Sequence, residues 1–170
     1  MGLPQATTPP SSPPSSTSTS NPKIRSTLPP EAIDLATKLF NLARTGDTPL
    51  LTQYITAGIP PNLTNSSGDT LLMLASYHNH LSTVEMLIEK GADVDAVNDR
   101  GQSILAGAVF KGFEEVVEVL VQAGAGTRVG KPTAVETAVL FRREGMLDRW
   151  GVGEDERAEV KRVVEQIGRS

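Results

Sequence analysis

The 170-residue sequence predicts an all-α solenoid of about four stacked helix–turn–helix units, joined by β-hairpin-like fingers and capped by a helix at each end. Three observations carry this. One phrase is written twice, GDTLLMLAS at Gly68 to Ser76 and GQSILAGAV at Gly101 to Val109, a step of 33 in the numbering. The same step joins Ala75 to Ala108, Asn79 to Gly112, Leu87 to Leu120 and Gly91 to Gly124, and stepping back lands on Gly46 and Gly58. Between the glycines, apolar residues recur at three- and four-residue intervals, the signature of helices with one buried face. A fixed period of this length marks an array whose units shield their apolar faces only against each other.

Residues 1–28 stand apart as a tail. The first thirty positions hold eight Pro, seven Ser and five Thr, no acid, and only Lys23 and Arg25 for charge. Such a composition buries too little apolar surface to offset the entropy of ordering, so disorder is expected. Thr8-Pro9, Ser12-Pro13 and Ser26 beside Arg25 are short segments of the kind kinases modify.

Pro29-Pro30 suits a helix start, because proline's fixed φ matches the first turn and its missing N–H is not needed there. Ala32, Ile33, Leu35, Ala36, Leu39, Phe40, Leu42 and Ala43 then form an amphipathic helix, stopped by Gly46. Thr48-Pro49 reads as N-cap and first residue of a second helix, with Leu50, Leu51, Tyr54 and Ile55 inward and Gly58 as its stop. This unit, about 31–64, is the N-terminal cap. In the unit 65–97, Gly68 makes the turn before an inner face of Leu71, Leu72, Leu74 and Ala75. Val84, Leu87 and Ile88 line the second helix, and Gly91 ends it in a left-handed conformation. The unit 98–130 repeats the plan with Ile104, Leu105 and Ala108, then Val116, Val117, Leu120 and Val121, ending at Gly124. Gly107, which costs a helix up to about 1 kcal/mol against Ala, is expected to permit close packing on the neighbouring unit. The unit 131–152 is shortened by a deletion and carries Ala138, Met146, Leu147 and Trp150 before Gly151, with Trp150 expected as core. A capping helix at 154–168 sets Val160, Val163, Val164 and Ile167 inward and Glu154, Asp155, Glu156, Lys161 and Arg162 outward.

Composition narrows the function. Without the tail, 14 Lys and Arg face 20 Asp and Glu, a net of −6, which is the wrong sign for a nucleic-acid footprint. No cysteine exists to serve as nucleophile, thiolate ligand or disulfide, which suits a reducing compartment. No apolar run approaches the roughly 18 residues of a membrane span, and the N-terminus has no apolar signal-peptide core. The expectation is a monomer of cytoplasm or nucleus, with no cofactor and no membrane or nucleic-acid partner.

The segments GDTLLMLA, VEMLIEKGADVDA, GQSILAGA and VVEVLVQAGAG resemble the ankyrin-repeat family, whose unit of about 33 residues opens T-P-L-H-x-A after a glycine and closes on G-A-D-V-N-A. The resemblance covers about residues 31–150. It implies a non-catalytic protein-binding scaffold that works through its finger tips and the concave face of its first helices. The family's Pro and His are replaced by Leu71 and Met73, and by Ile104 and Ala106. The histidine's hydrogen bonds between neighbouring turns are therefore expected to be missing, with apolar packing in their place. The resemblance also places Asp93 and Asp95 as hairpin braces and His80 as a structural residue of the bend.

In that family the residues around the turn glycine and at the end of the first helix point away from the core. Here they are Ser66, Ser67, Asp69, Tyr77 and His78, and then Asp99, Arg100, Gln102, Phe110 and Lys111. Two aromatics one array step apart and an arginine are hot-spot residue types. Phe110 packing beneath the adjacent helix pair is the competing reading. A partner patch of basic or mixed charge would suit the net charge and speed encounter. Adaptor, inhibitor and chaperone roles are all compatible with this face. The alternative class is a metal-dependent regulator or enzyme accessory subunit built on His78 and His80, since His-x-His can hold zinc when two more ligands lie nearby.

Overall fold

The computed structural model describes residues 29–167, and the tail with its Ser and Thr sites lies outside them. Among the described residues are nine helices: α1 (Pro30–Thr45), α2 (Thr48–Thr56), α3 (Leu71–Tyr77), α4 (Leu81–Glu89), α5 (Ile104–Lys111), α6 (Glu114–Gln122), α7 (Ala134–Leu140), α8 (Glu144–Arg149) and α9 (Glu154–Ile167). They form two layers. The first helices pack side by side as α1, α3, α5, α7 and α9, and the second helices α2, α4 and α6 pack in the same order behind them. One continuous core runs between the layers, with Leu39, Leu51, Leu71, Leu72, Leu87, Leu105, Leu120 and Leu147 at most 1 % exposed. This is the expected all-α solenoid.

Helices of only two turns or so are too short to persist alone in water, so their ends are tied down individually. Thr70, Ser103 and Thr133 occupy the same position in three units, and each side-chain oxygen accepts from the backbone N–H three residues on. Thr133 completes a reciprocal capping box with Glu136. At the other end the bend requires a left-handed residue, supplied by Gly46 (φ +73°), Asn79 (+61°), Gly112 (+75°) and Arg142 (+53°). The step from Asn79 to Gly112 is thus a backbone requirement, which Asn also meets at modest cost.

Several expectations are corrected. The N-cap of α2 is Asp47, whose carboxylate accepts from Leu50 N–H, so Thr48 lies inside the helix. Ala32 and Ile33 are exposed, because α1 begins well before the level at which α3 starts, and burial against the core begins only at Leu35 and Ala36. The hairpin-like fingers are as expected, each closed by a single antiparallel β-bridge, Thr64 with Thr70 and Val97 with Ser103. Trp150 packs against the core as expected but is only half-buried. On α9, Val163 is 45 % exposed, and the half-buried stripe is Arg157, Val160 and Val164. Arg157 anchors that helix through Glu144, Asp148 and the Val152 carbonyl.

Gly107 is not a close-approach site either. A methyl group there would lie 3.9 Å from Tyr77 Cδ2, an ordinary contact. Gly107→Ala is therefore expected to stabilise the protein by roughly 0.5–1 kcal/mol, through lower unfolded-state entropy and better helix propensity. Urea denaturation measures it, and a lower midpoint would show that the backbone at 107 is packed more tightly than this.

Candidate protein-binding groove

The finger turns are held by a repeated asparagine device. Asn65 Oδ1 accepts from the N–H groups of Ser67 and Asp69, and Asn98 Oδ1 accepts from those of Arg100 and Gln102. Successive turns are then coupled. Asn98 Nδ2 donates to Asp69 Oδ1 at 2.9 Å, and Asp99 N–H donates to the Ser67 carbonyl at 3.0 Å. Links between turns therefore exist despite the missing histidines, carried by an Asn–Asp pair instead. Asp69, which also accepts from Asn65 Nδ2, serves as this brace and is half-buried rather than free at the surface.

A second ladder runs through the loops after the outer helices. Asn62 Oδ1 accepts from Asp93 N–H, and one array step later Asp95 Oδ1 accepts from Gly126 N–H at 2.7 Å. A further step on, Arg128 pairs with Glu156 of α9 at 2.8 Å. Asp93 and Asp95 are braces.

With the turns fixed, α3, α5 and α7 line a groove of about 550 Å³. Of the ten predicted residues, Asp69, Tyr77, His78, Arg100, Gln102 and Phe110 line it. Ser66, Ser67 and Asp99 sit exposed on the finger, and Lys111 lies at the rim with its Nζ 4.3 Å from the centre of the Tyr77 ring. Tyr77 and Phe110 are 43 % and 47 % exposed, so Phe110 is not packed under the next helix pair. The predicted set omits Leu140 and Phe141, exposed by 54 % and 41 %. Phe141 meets Phe110 edge to face, centroids 5.0 Å apart. The deletion in the fourth unit hides them: the position equivalent to Phe110 is found by a step of 30, not 33. Asn65 and Asn98 are also missed, although they stand one full array step apart in the sequence.

His80 is committed to the bend. Its Nε2–H donates to the Arg44 carbonyl at 2.7 Å, and its ring lies where a side chain on Gly46 would sit. His78 stacks on His80 with centroids 6.3 Å apart. Burial of the ring, then the positive charges of His80, Arg44 and Lys111, lower its pKa below the ordinary histidine value. Among the described residues no three His, Asp or Glu side chains converge as a metal site would require. Nor is any described helix long and apolar enough to cross a membrane.

A family model for ankyrin repeats, in three copies, matches residues 39–131. A segment of 56 residues is 50 % identical to an ankyrin repeat protein of Pseudomonas aeruginosa, covering 33 % of this chain and 33 % of that relative. The match thus spans about a third of the relative's length. With the family model matched over more than half of the sequence, and the helix pairs stacked at its period, the chain belongs to the ankyrin-repeat family.

Proposed function

We propose that this protein is a non-catalytic binding module that holds a segment of another protein in the groove of α3, α5 and α7. Ankyrin repeats are in general protein–protein interaction modules. The supporting observation is the row Tyr77, Phe110, Leu140 and Phe141, each more than two-fifths exposed at the ends of helices whose other apolar residues are buried, apart from the half-buried Val139. Large apolar side chains left in water on a rigid, pre-formed surface gain about 25 cal/mol per Å² when a partner covers them. Rigid aromatic anchors are also the usual hot spots of an interface. Adaptor, inhibitor and chaperone share this binding step.

The test is Tyr77→Ala with Phe110→Ala. Because both rings are about half exposed, each substitution is expected to cost only about 1–2 kcal/mol of stability. Affinity purification from the native cell should lose the partner at least about tenfold against wild type, the effect of removing one strong hot spot. A folded double variant that retains every partner would leave the repeats as a spacer. A variant that unfolds would show Phe110 to be core.

A further inference from the structure

We propose that the groove selects an acidic peptide segment with bulky apolar side chains, its carboxylates set against a cationic rim formed by Arg44 and Lys111. This rests on the groove being the binding face and assigns the chemistry of its occupant.

The first helices close on pairs related by the array step: Arg44-Thr45, Tyr77-His78, Phe110-Lys111 and Leu140-Phe141. No carboxylate occupies any of these eight positions, although acids outnumber bases 20 to 16 in the chain. Arg44 hydrogen-bonds through its side chain to Asn41, and Lys111 lies over the Tyr77 ring. Neither has a carboxylate partner among the described residues. The ion pairs there belong to Arg128, Arg149 and Arg157, with acids of α6, α8 and α9. The charges that act on His78, between these two cations in the series, are all positive. Cations beside exposed rings form a surface that takes a carboxylate and an apolar side chain together.

The acidic surplus sits on the other layer. The helices α4 and α6 carry two and three glutamates with no base, and α8 carries Glu144 and Asp148 against Arg149. Whole-chain net charge, which suggested a basic or mixed partner, averages over these faces; at the rim the sign reverses. At the finger end Arg100 is offset by Asp69 and Asp99, so charge selectivity resides at the bends. The chain's own residues 1–28 contain no carboxylate and two bases, and the rim would repel them. Nucleic acid is a poorer fit, since two rim cations release few counterions against an acidic outer layer.

The probe is a displayed library of random dodecapeptides, selected on the full chain and counter-selected on the Tyr77→Ala/Phe110→Ala variant. Enriched peptides should be net acidic with bulky apolar residues. Their affinity should fall at least about tenfold on Arg44→Glu/Lys111→Glu and less on Arg44→Gln/Lys111→Gln. It should also weaken between about 0.1 and about 1 M salt as the Debye length shrinks from about 10 to about 3 Å. Circular dichroism confirms that each variant is folded. Neutral or basic winners, or acidic winners indifferent to both rim variants, overturn the proposal while leaving the groove as the binding face. Enrichment that survives counter-selection, or no enrichment at all, overturns both. Tighter binding of a peptide of residues 1–28 or of oligo(dT) than of the enriched acidic peptides, or dimerisation in sedimentation abolished by the rim variants, would assign the rim to another occupant and also overturn it.

Discussion

Gly68→Ala is expected to lower stability by about 3 kcal/mol, whereas Gly91→Ala, at nearly the same backbone angle, should cost only about 1 kcal/mol. Both glycines are left-handed, at φ +76° and +85°, so both substitutions meet the cost of placing Cβ near the following carbonyl, roughly 1–2 kcal/mol. Their surroundings differ. Nothing lies within 4 Å of a Cβ at 91. At 68 the new atom would sit 2.7 Å from the backbone nitrogen of Asp99, whose N–H ties the following turn to this one. Asp99 cannot move aside without releasing that bond and straining the adjacent Asn98–Asp69 link, and breaking part of such a network costs roughly another 1–2 kcal/mol. Paired denaturation curves measure the difference. Equal losses at 68 and 91 would mean that the turns are not coupled, and that local backbone conformation alone requires the glycines.

Leu105→Ala should be as damaging, at about 3 kcal/mol, for a different reason. Leu105 is 1 % exposed in α5, which packs against both α3 and α7. Removing a buried leucine loses transfer energy and leaves a cavity that stiff neighbours fill only partly, roughly 2.7–5.0 kcal/mol in a well-studied lysozyme series. A solenoid gains its stability from contacts between adjacent units, so a defect in a central first helix weakens two interfaces at once. The midpoint of thermal unfolding should fall by roughly 6–12 °C, at about 2–4 °C per kcal/mol for a domain near this size. A shift under about 3 °C would show that the two layers repack around the missing side chain.

The fold was legible because its determinants are local and repeated. Thr70, Ser103 and Thr133 cap helices through residues three positions away, and the glycines mark bends at a constant interval. The apolar faces of α3 to α6 follow from spacing alone. The errors share a cause in what lies far along the chain. Periodicity names a face but not how far a neighbour extends, and Ile33 and Val163, on the apolar faces of their helices, are nearly half exposed. Asp69 looked like a free surface carboxylate because its partner Asn98 belongs to the next unit. Gly107 suggested a tight contact, yet the facing Tyr77 ring stands off far enough for a methyl group. At the groove, Tyr77 and Phe110 followed from the regular array step, while Leu140 and Phe141 were lost when the deletion shifted the register. The charge of the rim was obscured for a similar reason, since net charge sums over faces that the fold separates.

Site-specific photo-crosslinking tests most directly whether the first-helix layer is the face that meets a partner. A benzoylphenylalanine at position 110 should capture a partner covalently in the native cell. The same group at position 118, exposed on α6 in the outer layer, should capture nothing above background. Capture from 118 equal to or greater than that from 110 would contradict the account.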